Sequence, residues 1–184
     1  MGSGAEKGQK DELDIGDEWR AKIVRFFSIL DADKDGIVNR HDYVDKTLER
    51  ARKYFVADKI NDFNDTVSEA WGNFWSFSEN EYKGSFERKD AIWIHKRLFK
   101  GNLRESSSDW EEGIFRAADG DDNEELNVYE HKTFCLVFNV QEGIDKSFEY
   151  IDQNQNGIID KEEFLKAAHD YFYSRKKDSW FFGI

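Results

Sequence analysis

The chain has no proline, a single cysteine and a single methionine, the initiator. Proline breaks helices by removing a backbone donor and clashing with the preceding turn, so its absence suits a series of helices joined by tight loops. With Cys135 alone, an intrachain disulfide is excluded and a cytoplasmic compartment is expected. Positive charge is also short: 27 Lys and Arg face 39 Asp and Glu, and the net charge of −12 makes nucleic acid and anionic membrane surfaces poor partners. No stretch approaches the roughly 18 consecutive apolar residues of a spanning helix. No secretory leader is visible, and Glu6 stands where a myristoylation signal wants Ser or Thr, so no membrane anchor is expected. Residues 1–14 are polar and glycine-rich and are expected to form a disordered tail.

Aromatic residues are plentiful: 16 Phe, 7 Tyr and 6 Trp, a heavy apolar content for an acidic protein and an argument for a packed core. They recur at helical spacing, as at Trp19, Ile23, Phe26, Phe27 and Leu30, and again from Phe63 through Val67, Trp71 and Phe74 to Phe77. The second stripe is wide and reads as core or as the lining for an apolar ligand. Residues 101–109 (GNLRESSSD) read as the linker between two halves, 15–100 and 101–184, with Ser108 and Glu111 as a capping box opening the next helix. Cys135 sits on a helical stripe and is expected to be a buried small hydrophobe rather than a reactive thiol. His41 and His131 lie in or beside loops and are expected to be solvated. The terminal Trp180, Phe181, Phe182 and Gly183 are too apolar to be left in water and are expected to plug the core.

Between the helical stripes a twelve-residue pattern repeats, beginning at 31, 79, 119 and 152. The last copy, DQNQNGIIDKEE, puts side-chain oxygens at positions one, three, five, nine and twelve: Asp152, Asn154, Asn156, Asp160 and Glu163, with the Ile158 carbonyl at seven. A Ca²⁺ ion takes six to eight oxygens at about 2.3–2.6 Å, and this spacing wraps them around one point. Gly157 at position six permits the sharp turn, because glycine enters positive φ without a Cβ penalty. The first copy offers Asp31, Asp33, Asp35, the Ile37 carbonyl, Asn39 and Asp42. Aspartate at position twelve has a shorter arm than glutamate and gives one oxygen more readily than two, so the smaller Mg²⁺ competes there. The third copy offers Asp119, Asp121, Asn123, the Glu125 carbonyl, Asn127 and Glu130. Its departure is Glu124 in the glycine position, at a cost on the order of 1 kcal/mol for a side chain at positive φ. The second copy, Glu79 to Asp90, is expected to hold no metal. Glu79 is too long for position one, and Lys83 aims an ammonium where an oxygen belongs and can pair with Glu81 or Asp90. Val38 should pair with Phe86, and Leu126 with Ile159, as short strands. The expected fold is all-α, with four helix–loop–helix units in two paired lobes packed into one globule.

These loops resemble those of the EF-hand superfamily and, within it, of the invertebrate sarcoplasmic calcium-binding proteins. The closer resemblance covers most of residues 17–184 and rests on length, Asp42 at position twelve, the disabled second loop and the terminal aromatic segment. It implies a compact cytoplasmic monomer that binds Ca²⁺ and Mg²⁺ and acts as a buffer, with no obligatory protein partner. Sensors open a Met-rich groove on binding Ca²⁺, and the one methionine of this chain is the initiator. Two alternatives stand beside the buffer. One is a sensor similar to calexcitin that docks a target protein. The other is a photoprotein or luciferin-binding protein of the coelenterazine type, a group similar in size and in its inactive second loop but carrying a terminal proline that this chain lacks. The carboxylates are arranged to saturate an ion, leaving no open position for substrate or activated water, so no enzyme activity is expected.

Overall fold

The computed structural model describes residues 16–75, 77–78, 81–82, 84–99, 104–175 and 179–183. The tail at 1–14, Glu79 and Lys83 of the second loop, and residues 101–103 of the expected linker lie outside the described residues. Helix α1 (Asp17–Leu30) opens on Asp17 and Glu18, whose charges complement the positive end of the helix dipole, and buries Trp19, Ile23, Phe26, Phe27 and Leu30 on one face. It leads through strand β1 (Ile37–Asn39) and a π-helical turn at His41–Asp45 into α2 (Lys46–Tyr54). The second unit comprises α3 (Ile60–Ala70), a π-helical turn at Trp71–Trp75, β2 (Phe77–Ser78), β3 (Glu81–Tyr82), β4 (Ser85–Glu87) and α4 (Arg88–Phe99). The third runs α5 (Arg104–Ala118), β5 (Glu125–Leu126) and α6 (Val128–Val137). The fourth runs α7 (Ile144–Ile151), β6 (Ile159–Asp160) and α8 (Lys161–Tyr173).

The units pair as two lobes. β1 meets β4 antiparallel with Val38 opposite Phe86, and β5 meets β6 with Leu126 opposite Ile159. All four of these side chains are buried, so each pairing also seals the floor of its lobe. The lobes then pack on each other. Across the seam the Trp19 indole N–H donates to the Phe172 carbonyl at 2.7 Å, the Tyr171 hydroxyl to the Lys22 carbonyl at 2.8 Å, and Arg50 Nε to the Val137 carbonyl at 2.6 Å. Gly113 of α5 lies so close to Thr66 of α3 that a Cβ there would fall 2.5 Å from its hydroxyl.

Phe181 and Phe182 are buried, Phe181 against Phe134 and Phe164 of the carboxyl-terminal lobe and Phe182 stacked on Phe26 of the other lobe at 5.0 Å. Gly143 and Gly183 bring two backbones together: a Cβ on Gly143, which has φ +69°, would sit 1.8 Å from the Gly183 carbonyl oxygen. The Ser147 hydroxyl donates to the Phe181 carbonyl at 2.8 Å, locking the terminal segment onto α7.

Three local expectations need correction. The helix placed after a capping box at Ser108 begins at Arg104. The serines there extend a charged first turn instead of ending a linker, and Glu111 is buried rather than capping. The stripe from Phe63 to Phe77 is not one helix. It ends as α-helix at Ala70, and the wider π-helical turn carries both Trp71 and Trp75 inward. His131 is fully buried, not solvated. It falls on the inward face of α6, edge-on to Phe148 at 5.4 Å, with Nε2 3.0 Å from the Ser147 hydroxyl.

Candidate metal centres

Loops 31–42, 119–130 and 152–163 share one frame. The position-six N–H donates to the position-one carboxylate in each: Gly36 to Asp31 at 3.1 Å, Glu124 to Asp119 at 3.0 Å and Gly157 to Asp152 at 2.9 Å. The position-seven N–H donates to the position-five side chain: Ile37 to Asp35 at 2.7 Å, Glu125 to Asn123 at 2.9 Å and Ile158 to Asn156 at 2.9 Å. The turn needs positive φ at position six, met by Gly36 (86°), Glu124 (62°) and Gly157 (84°). It also needs positive φ at position four, at Lys34 (62°), Asp122 (58°) and Gln155 (59°), a requirement the sequence reading missed. The available signal was weak, since only the polar character of those residues hints at it. Asp122 also ion-pairs with Lys59 of the other lobe.

Positions nine and twelve serve the next helix as well as the loop. Asn127 and Glu130 form a reciprocal capping box on α6, and Asp160 and Glu163 one on α8. Each glutamate also reaches back across its loop. Glu130 Oε1 accepts from Gly120 N–H at 2.9 Å, and Glu163 Oε1 from Gln153 and Asn154 N–H at 3.1 and 3.2 Å. In the first loop Asn39 accepts from His41 and Asp42 N–H, and Asp42 from Asn39 N–H at 3.1 Å. No bond from Asp42 to the start of that loop is present among the described residues.

The carboxylates converge in two of the loops. Oxygens of Asp31, Asp33 and Asp35 lie within 4.8 Å of one another, and so do those of Asp119, Asp121 and Glu130. The fourth loop carries amides at positions three and five, and its three carboxylates, Asp152, Asp160 and Glu163, match the number in the third loop against four in the first. Asp31 Oδ1 is buried and no donor among the described residues reaches it. Burial raises the Asp42 carboxyl, its backbone bond from Asn39 opposes this, and Asp33, Asp35 and Asp31 add repulsion. A buried anionic oxygen without a partner, ringed by like charges, is the environment a hard divalent cation relieves. The donors are all oxygens, which suits Ca²⁺ and Mg²⁺ and not a thiophilic metal.

The second loop is built differently. Its incoming half pairs with itself, Phe77 opposite Tyr82 and Ser78 opposite Glu81, where the other loops coil around a centre. Among the described residues its outgoing half keeps the common frame, with Gly84 at φ 66° and Asp90 accepting from Glu87 N–H at 3.0 Å.

Residues 144–167 match the family model described as EF hand. Over most of its length the chain is similar to calcium-loaded apo-aequorin from Aequorea victoria, at 18% identity, covering 86% of this chain and 92% of that one with a TM-score of 0.68. It is also similar to Mg²⁺-loaded apo-berovin, a light-sensitive ctenophore photoprotein whose three Ca²⁺-binding loops all bind magnesium (17% identity, 82% and 86% covered, TM-score 0.64). A sarcoplasmic calcium-binding protein from amphioxus is a third (12% identity, 89% and 94% covered, TM-score 0.65). No curated protein matches the chain at the level of sequence. The fold is that of the EF-hand calcium-binding proteins.

Proposed function

We propose that this EF-hand protein is a cytoplasmic Ca²⁺/Mg²⁺ buffer with three working loops and no enzymatic activity. Its ligands are Asp31, Asp33, Asp35, Ile37, Asn39 and Asp42 in the first loop; Asp119, Asp121, Asn123, Glu125, Asn127 and Glu130 in the third; and Asp152, Asn154, Asn156, Ile158, Asp160 and Glu163 in the fourth. The observation that carries the reading is the shared inward frame of those loops beside the self-paired second loop. Mg²⁺ competes most strongly at the first loop, where Asp42 does not span the ring. A buffer, not a sensor, is favoured by the continuous Phe- and Trp-rich core that joins the two lobes. Opening such a core would break the seam and expose stacked aromatic rings.

Isothermal titration with Ca²⁺, with and without Mg²⁺, is expected to give three binding events, one of them strongly reduced by Mg²⁺. Fewer than two events would overturn the assignment. Small-angle scattering should show little change of shape on Ca²⁺ addition; a large expansion with Ca²⁺-dependent retention on a hydrophobic resin would establish a sensor. Light on adding coelenterazine and then Ca²⁺ would establish a photoprotein.

A further inference from the structure

A cavity of about 330 Å³ lies between α3, α5, α4 and α8, at the lower end of the roughly 300–1,000 Å³ range of small-molecule sites. Its walls are largely aromatic: Phe26, Phe74, Trp75, Trp110 and Phe172. Phe74 stands edge-on to Trp75 with centroids 4.8 Å apart, and Trp110 edge-on to Phe172 at 5.9 Å. The polar groups of the wall are mostly acceptors. Glu111 is only 5% exposed, and its Oε1 is buried with no donor among the described residues. His95 donates through Nδ1 to the Ala91 carbonyl at 2.8 Å, which leaves Nε2 as an acceptor. The Trp110 indole N–H is engaged by the Tyr43 hydroxyl at 3.0 Å, and the Thr66 hydroxyl by the Asp62 carbonyl at 2.9 Å. Exposed Glu69 and Asp109 border the same cavity, against one cation, Arg116.

We infer that this cavity binds an aromatic primary amine, its ring among Phe74, Trp75 and Trp110 and its ammonium on Glu111. Aromatic faces attract a cation through their quadrupole, and a desolvated carboxylate gives it a charge-assisted bond. A ligand with no donor, or an anionic one, would leave Glu111 Oε1 unsatisfied, and among donors an ammonium makes the stronger, charge-assisted bond. Burial already pushes the Glu111 carboxyl up to about 8, as expected for an acid lacking its countercharge. The site is separate from the three metal loops, and the inference goes beyond the buffering role.

The test is calorimetry on the Ca²⁺-loaded protein with tryptamine and with 3-ethylindole, which keeps the ring and lacks the amine. Tryptamine is expected to bind at least about tenfold more tightly than 3-ethylindole, the margin of a desolvated cation–π contact with a charged hydrogen bond. Glu111→Gln should lower tryptamine affinity about tenfold or more and leave 3-ethylindole unchanged, with the Ca²⁺ titration of the variant confirming that it folds. Phe74→Leu, which spares the carboxylate, should weaken both ligands. Equal affinity for the two probes, no binding of tryptamine at millimolar concentration, or an unaltered tryptamine affinity in Glu111→Gln would each overturn the inference.

Discussion

The carboxyl-terminal lobe closes its loops with glutamate; the amino-terminal lobe closes its loops with aspartate and pairs the start of the second as a hairpin. Glu130 and Glu163 each cap a helix and still reach back to the start of their loop. Asp42, one methylene shorter, holds only Asn39. The same backbone frame thus carries two kinds of site, and the length of one side chain separates them. The second loop shows the limiting case: once its incoming half pairs as a hairpin, only the outgoing strand survives, and it survives as the partner β1 requires.

The largest expected effect tests whether the two lobes are one cooperative unit. Burial holds His95, in the amino-terminal half, at about 4, with its bond to the Ala91 carbonyl opposing, and burial holds His131, in the other half, at about 4 as well. Below pH 6.5 the unfolded chain takes up these protons and the folded chain does not until about pH 4, so stability falls as pH drops through that window. Each histidine contributes on the order of 3 kcal/mol across it. Urea melts in chelator at pH 7 and pH 4.5 should show one transition that weakens on acidification. His131→Gln should flatten part of the slope; two separate transitions would divide the lobes.

Gly143→Ala comes next. The added methyl would collide with the Gly183 carbonyl, so a loss on the order of 3 kcal/mol is expected in denaturant melts. A neutral result would show that the terminal segment is not anchored there. Glu130→Gln and Glu163→Gln should each weaken one Ca²⁺ event by on the order of a hundredfold, by removing the charged ligand that spans the ring. Asp42→Asn should cost less, and equal losses would erase the contrast between the lobes. Asp42→Glu should convert the first loop to the pattern of the others, raising its preference for Ca²⁺ over Mg²⁺ by about tenfold in competition calorimetry. The smallest effect is Glu124→Gly. Relieving a side chain at φ 62° should tighten the third loop a few-fold, consistent with about 1 kcal/mol of αL strain.

Much of this was legible because an EF loop is a local object. The position-six turn and the residues that pair as strands follow from their place within the twelve-residue repeat. The positive φ at Lys34, Asp122 and Gln155 was not legible, because those exposed residues differ in type and carry no chemical mark of the turn. His131 was misjudged because proximity to a loop says nothing about which face of α6 it occupies. The start of α5 was misplaced because serine's preference for caps is a weak local signal, and Ser108 is instead the fifth residue of the helix.

The sequence by itself determined the fourfold loop repeat and an aromatic content that demanded a core. Only the tertiary structure decided that α3 and α5 approach at Gly113, that Phe182 stacks on Phe26 of the other lobe, and that Glu111 lines a cavity with aromatic walls. Ligand spacing is a property of neighbouring residues, whereas a seam between lobes joins residues far apart in the chain, as from Trp19 to Phe172. Their meeting depends on the summed packing of every helix between them.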